Sequence, residues 1–121
     1  MKICVIYDDE NTTKTISKFL QMEGHECVAT NDGQKGLYIL EKEDFDAVVL
    51  DLAMPDFGGI DIVAKLEDTG RINEHKICVL TASSSGDDDY DYLKNKGVKE
   101  ILKKPLVLSE LLKTLEKMQK S

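Results

Sequence analysis

Ala47-Val48-Val49-Leu50-Asp51-Leu52-Ala53-Met54-Pro55-Asp56-Phe57-Gly58-Gly59 is the stretch on which the fold turns. Its first four residues are too few for a helix and rich in Val and Leu, so they read as a strand buried on both faces. The strand ends on a carboxylate, Asp51, and the residues from Met54 to Gly59 are turn formers that read as a loop. Moving outward in either direction, the same grammar repeats. The run from Ile3 to Tyr7 leads into Asp8 and Asp9, and that from Ile77 to Leu80 into Thr81. A shorter Ile101-Leu102 stops two residues before Lys104. Four apolar runs therefore deliver Asp8, Asp9, Asp51, Thr81 and Lys104 to what reads as one edge of a sheet.

Between the strands lie longer amphipathic stretches. Ile16, Phe19 and Leu20 recur at helical spacing within a helix expected from Asn11 to Met22, with Gly24 as its stop. Cys27 to Ala29 reads as a further strand. Asn31-Asp32-Gly33 then turns the chain into a helix carrying Leu37, Ile39 and Leu40 that ends before Asp46. Ile62, Val63 and Leu66 mark a third helix. A polar loop of Ser83, Ser84, Ser85 and Gly86 leads to a short helix around Tyr90 to Lys96, closed by Gly97. Leu108, Leu111, Leu112 and Leu115 form the apolar face of a last one. Five strand-then-helix units predict an α/β fold with a mostly parallel sheet covered on both faces. Ligands of such sheets bind beyond the carboxyl ends of the strands, where the strand order reverses.

The chain has 121 residues, enough for one domain. Its formal net charge is -7, from 23 acidic against 16 basic residues, so its field repels a nucleic-acid backbone and direct binding to DNA is disfavoured. No apolar run approaches the length of a membrane span, and Asp8 and Asp9 interrupt the first strand too early for a signal peptide. A cytoplasmic protein is expected. Cys4, Cys27 and Cys78 stand singly in strand-like segments and read as small buried apolar residues.

Three aspartates at one strand edge need a compensating charge. Two carboxylates about 4 Å apart repel by roughly 4 kcal/mol at an effective dielectric near 20, and a third worsens it. A hard divalent ion with oxygen ligands answers this, and few carboxylates plus several waters suit magnesium better than calcium. Lys104 adds a compact second positive charge. Such a site accepts an anion that brings its own oxygens to the metal, which is most of what phosphoryl transfer requires. An aspartate can itself take the phosphoryl group, whereas Thr81 has no evident base and is better suited to bond a phosphoryl oxygen.

Taken together, these segments resemble the receiver domain of two-component response regulators. The resemblance runs from Lys2 to about Lys120 and rests on four motifs. They are Val5-Ile6-Tyr7-Asp8-Asp9-Glu10, Val48-Val49-Leu50-Asp51-Leu52-Ala53-Met54-Pro55 with Gly58-Gly59, Val79-Leu80-Thr81-Ala82, and Lys103-Lys104-Pro105. Each is weak alone, and all four in order at receiver-like spacing are specific. The resemblance implies a doubly wound, flavodoxin-like sheet in the order 2-1-3-4-5 with five helices, occupying 1–121 as a receiver domain with no output domain. It implies that Asp51 is phosphorylated. Mg2+ or Mn2+ would be held by Asp8, Asp9, Asp51 and the backbone carbonyl of Ala53. Thr81, Lys104 and the Ala82 backbone would contact the phosphoryl group, and the bond before Pro105 would be cis. The phosphodonor would be a histidine kinase or a histidine phosphotransfer protein. A downstream protein would bind the face of helix 4, strand 5 and helix 5. The expected activity is that of a switch, with no enzymatic turnover.

Departures and competing readings stand beside this. Ile101 occupies the strand-five switch position, three residues before the lysine, where receivers carry Tyr or Phe, so the aromatic half of a Thr81–aromatic switch is missing. Ala53 and Ser83 are small where many receivers carry longer polar side chains, and Val107 replaces a polar cap at the last helix, which predicts a frayed or shifted start. Asp9 alone also reads as a helix cap. His25 and His75 fall in polar connections and read as neither phosphodonor nor metal ligand. Asp87-Asp88-Asp89 reads as a solvated helix start, and the lysines from Lys94 to Lys104 as a solvated face with a secondary reading as a dock for an acidic partner. A flavodoxin-like cofactor binder would need backbone donors where Asp8-Asp9-Glu10 stands. A metal-dependent phosphohydrolase would need a substrate pocket and a cap. A receiver fold working as an unphosphorylated interaction module is the remaining alternative, favoured by Ile101 alone.

Overall fold

The computed structural model describes residues 1–54, 56–81 and 87–120, with 87–90 in backbone alone. Strands β1 (Lys2–Ile6), β2 (Glu26–Thr30), β3 (Ala47–Asp51), β4 (Ile77–Thr81) and β5 (Glu100–Lys103) alternate with five helices. These are α1 (Glu10–Met22), α2 (Gly33–Lys42), α3 (Gly59–Asp68), α4 (Asp87–Lys96) and α5 (Leu108–Gln119). All neighbouring strands are parallel, in the order β2-β1-β3-β4-β5. The order reverses at β1, which lies between β2 and β3, so the carboxyl ends of β1 and β3 flank the switch point where such sheets bind ligands.

The central strands β3 and β4 are buried at every residue, as continuous apolar runs predict. Successive side chains divide the core into two layers. Ile3 and Val5 point to one face, where Ile16 and Leu20 of α1 and Leu111 and Leu115 of α5 cover them. Cys4 and Ile6 point to the other, beneath Leu40 of α2 and Ile62 and Leu66 of α3. Each fully buried Leu or Ile contributes about 1.5–3 kcal/mol relative to exposure. These layers hold the strand ends rigid and leave the loops at the carboxyl edge to carry chemistry.

The edge strands differ most from their apolar runs. β2 and β5 extend one residue at each end beyond Cys27 to Ala29 and Ile101-Leu102, because a half-solvated edge strand pairs through backbone groups whatever its side chains are. Conversely, Tyr7 stands just past β1, although its N–H still donates to Thr30 O at 3.2 Å. α4 starts at Asp87 and so takes in the acidic run expected at its beginning. A 3-10 turn at Ile72–Glu74, which no apolar spacing announces, precedes β4.

That turn also corrects the reading of His75. Far from lying in a polar connection, His75 is 1 % exposed, and its Nε2 donates to Leu40 O at 3.0 Å. Cys4 and Cys78 are fully buried, which pushes their thiols up to about 12, while half-buried Cys27 lies 3.4 Å from Ser17 Oγ. Among the described residues no helix is long and apolar enough to cross a membrane.

Candidate functional site

Strand register brings the expected residues to one edge. Ile6 pairs with Leu50, so Tyr7 and then Asp8 and Asp9 leave β1 beside Asp51. Asp51 pairs with Leu80, so Thr81 lies one step beyond it on β4, and Thr81 pairs with Lys103. The Lys104 N–H then donates to Thr81 O at 2.8 Å, continuing the ladder and fixing where its side chain begins.

Asp51 is 1 % exposed, although it is a carboxylate at a strand end. Burying an uncompensated charge is costly, so a partner is required. Lys104 Nζ supplies it at 2.9 Å from Oδ1, and the Ala53 N–H donates to the same oxygen at 3.2 Å. Both bonds fall on Oδ1, and Oδ2 bears neither. Lys104 is itself largely withdrawn from solvent. Burial pulls its pKa down, but the hydrogen bond and charge of Asp51, with a smaller contribution from Tyr7, outweigh that and raise it overall. Lys103 is exposed, so the structure separates two lysines that only Pro105 distinguished in the sequence. The Lys104-Pro105 bond is cis, as expected.

Gly59 explains part of the loop chemistry. A Cβ there would lie 2.9 Å from both Asp51 O and Leu52 Cα, so only glycine lets α3 begin against the backbone of the acceptor. The Gly58 N–H donates to Asp61 Oδ2 at 3.0 Å, which satisfies a free donor at that helix start.

Asp8 and Asp9 are exposed, and Asp9 serves as the N-cap of α1. Its Oδ1 accepts from the Asn11 N–H at 3.1 Å and its Oδ2 from the Thr12 hydroxyl at 2.6 Å. The Thr12 bond first, and the Asn11 bond after it, hold the Asp9 carboxyl below its ordinary pKa. The capping reading of Asp9 is thus true of the structure, and a carboxylate with about four lone-pair sites keeps capacity for a further ligand. Among the described residues no three His, Cys, Asp or Glu side chains gather closely enough to cage a metal ion. Magnesium keeps several waters and needs no protein cage. An oxygen-only set of Asp8, Asp9, Asp51 and the Ala53 carbonyl, open to solvent on the β1 side, fits such an ion.

Thr81 is 3 % exposed at the end of β4, and half-buried Ile101 pairs with Val79 in β5. Ala82 and Ser83 lie outside the described residues, as does Pro55. Val107 takes the N-cap position of α5 with no side-chain bond, and the helix starts immediately after it at Leu108.

Two residues were missed by sequence reasoning. The Tyr7 ring lies under Lys104, with Nζ 4.9 Å from its centroid. Its only signal was an aromatic directly before an acidic pair. Asn31, read as a turn former, donates through Nδ2 to Tyr7 O at 2.9 Å and to Thr13 Oγ1 at 3.0 Å, so it pins the end of β1. A groove of about 560 Å³ opens between α1 and the β5–α5 connection, lined by Tyr7, Asn11, Thr12, Lys104, Pro105 and Leu108 among others.

Comparison with known proteins gives consistent matches. The family model described as "Response regulator receiver domain" matches residues 3–116. The transcriptional regulatory protein PrrA of Mycobacterium tuberculosis is 34% identical over 110 residues, covering 91% of this chain and 46% of PrrA. The chain therefore spans about half the length of the curated relatives it matches. The receiver domain of the Francisella response regulator 1452 superposes with a TM-score of 0.87 at 25% identity, covering 98% of this chain and 96% of that one. The receiver domain of the sensor histidine kinase PA1611 from Pseudomonas aeruginosa PAO1, solved with a magnesium ion coordinated in its active-site cleft, shares the fold. Its TM-score is 0.83 at 24% identity, with coverage of 99% and 98%.

Proposed function

The chain belongs to the response regulator receiver domain family of two-component systems, and on that premise we propose that it is a switch driven by phosphorylation of Asp51. The observation that carries this is the burial of Asp51 at 1 % exposure with Lys104 Nζ 2.9 Å from one of its oxygens. Such a carboxylate is held in place and partly neutralised before any donor arrives. Oδ2 attacks the phosphorus of a phosphohistidine on a histidine kinase or phosphotransfer protein. The new P–O bond forms as the P–N bond breaks, and the imidazole leaves with the electron pair and takes up a proton.

Asp8, Asp9, Asp51 and the Ala53 carbonyl would hold Mg2+ or Mn2+, which supplies charge neutralisation across acceptor and transferring group. Lys104 and the Thr81 hydroxyl then bond the phosphoryl oxygens. Phosphorylation replaces one carboxylate by a group with roughly two negative charges and three strong acceptors. Two or three charge-assisted bonds at about 1.5–3 kcal/mol each approach the roughly 5.5 kcal/mol that converts a 1:99 equilibrium to 99:1. The α4–β5–α5 face shifts as a unit and changes affinity for a downstream protein. The protein turns over no separate substrate; it promotes only its own phosphorylation and dephosphorylation.

Ile101 favours a second reading, an interaction module that works unphosphorylated, since position 101 carries no aromatic ring to report the state of Thr81 to the surface. Intact mass after incubation with magnesium and acetyl phosphate separates the two. One phosphoryl adduct, absent in Asp51→Asn and lost on chelation, is the expected result. No adduct with any small donor favours the module.

A further inference from the structure

We propose that Tyr7 is a positioning residue for Lys104, holding its ammonium group over the ring face so that it stays at the site when Asp51 is modified. The inference rests on the reading of Asp51 as phosphoacceptor. Lysine is a point charge on a flexible four-carbon stem, and its placement costs rotamer entropy unless more than one contact shares the task. In this structure two contacts share it. One is Asp51 Oδ1 at 2.9 Å and the other is the Tyr7 ring, 4.9 Å from Nζ to its centroid. A cation over an aromatic face is attracted by the ring quadrupole, more strongly where water is partly excluded, as it is around half-buried Tyr7 and Lys104.

The two contacts differ in what the chemistry does to them. The Asp51 contact is exchanged when that carboxylate becomes an acyl phosphate. The ring contact involves no reacting atom and persists, so the ammonium remains within reach of the incoming oxygens. The Tyr7 backbone, from which the ring projects, is fixed on two sides, since its N–H donates to Thr30 O at 3.2 Å and its carbonyl accepts from Asn31 Nδ2 at 2.9 Å. A rigid platform at the end of β1 thus holds a flexible lysine that arrives from β5.

The test compares wild type with Tyr7→Leu, which keeps apolar bulk, and Tyr7→Phe, which keeps the ring. Proton NMR of the Lys104 ε-methylene reads the contact with no phosphodonor present. An upfield ring-current displacement is expected in wild type and Tyr7→Phe and its loss in Tyr7→Leu. An unchanged resonance in Tyr7→Leu overturns the contact. Phosphorylation by acetyl phosphate, followed across a magnesium titration up to saturation, reads the role. The expected rate in Tyr7→Leu is about three- to tenfold lower, with the magnesium concentration for half-maximal rate unchanged and most of the rate restored in Tyr7→Phe. A wild-type rate in folded Tyr7→Leu, or an equal loss in Tyr7→Phe, overturns the positioning role. If wild type itself takes no phosphoryl group, the reading of Asp51 fails and the kinetic role with it, whereas the ring contact is still decided by the Lys104 resonance.

Discussion

At the scale of single residues, the pairing of Asp51 with Lys104 decides the character of the site. Fully exposed ion pairs are worth about 0–1 kcal/mol, and breaking a fully buried one costs about 3–5 kcal/mol. With Asp51 buried and the Lys104 side chain 28% exposed, the loss of Lys104 falls between these limits. Lys104→Met is expected to destabilise the fold by about 1–3 kcal/mol in urea unfolding, since it strands a buried carboxylate. Asp51→Asn introduced on top of Lys104→Met should recover most of that loss, because the neutral amide needs no cation. Additive effects of the two substitutions would mean that the pair is not coupled. The pairing was legible in outline from a lysine before a proline and an aspartate at a strand end. The choice of Lys104 over Lys103 rested on Pro105 alone, because side-chain direction at a strand edge depends on register, which adjacent residues of one type cannot reveal.

At the scale of elements, helix starts are where sequence and structure meet most closely. Asp9 and Asp32 both cap helices with side-chain bonds, whereas Val107 occupies the same backbone position on α5 with none. Val107 is half exposed, so replacing it sacrifices little burial. Val107→Ser is expected to stabilise the protein by about 1 kcal/mol, seen as a rise of a few degrees in Tm; no rise would mean that α5 is limited elsewhere. Gly33 is the opposite case. A Cβ at that first residue of α2 would lie 1.9 Å from Phe57 O, a backbone atom of the β3–α3 connection. Gly33→Ala is expected to cost at least about 1–3 kcal/mol and to slow phosphorylation through displacement of the loop that follows Asp51; a neutral effect would contradict the close approach. Four of the five helices were legible from apolar spacing, and α4 was placed by the polar stretch before it and by Gly97 after it. The contact between α2 and a loop 24 residues away was not, since no local pattern encodes it.

At the scale of the whole molecule, a mostly parallel sheet covered on both faces followed from five alternating units, and its strand order from family resemblance. The fate of His75 did not follow, because a polar residue in a short connection carries no sign that a 3-10 turn will bury it. Burial first, with the positive charge of Arg71, lowers its pKa below 6.5 against opposing contributions from the Leu40 carbonyl, Glu74 and Asp44. The unfolded chain therefore binds a proton more readily than the folded one. This contribution to stability is present above about pH 6.5 and is lost as pH falls through the lowered folded value. His75→Phe should flatten the decline of unfolding free energy between about pH 6.5 and 5 relative to wild type. Parallel pH profiles would show that another group governs this range.

The central claim concerns where the phosphoryl group goes, and one measurement tests it directly. The protein is incubated with magnesium and acetyl phosphate, reduced with borohydride to convert an aspartyl phosphate to homoserine, and mapped by tandem mass spectrometry. Homoserine at position 51 alone, dependent on magnesium, is the predicted result. Conversion at Asp8 or Asp9, or none at all, would contradict the assignment of Asp51 as acceptor.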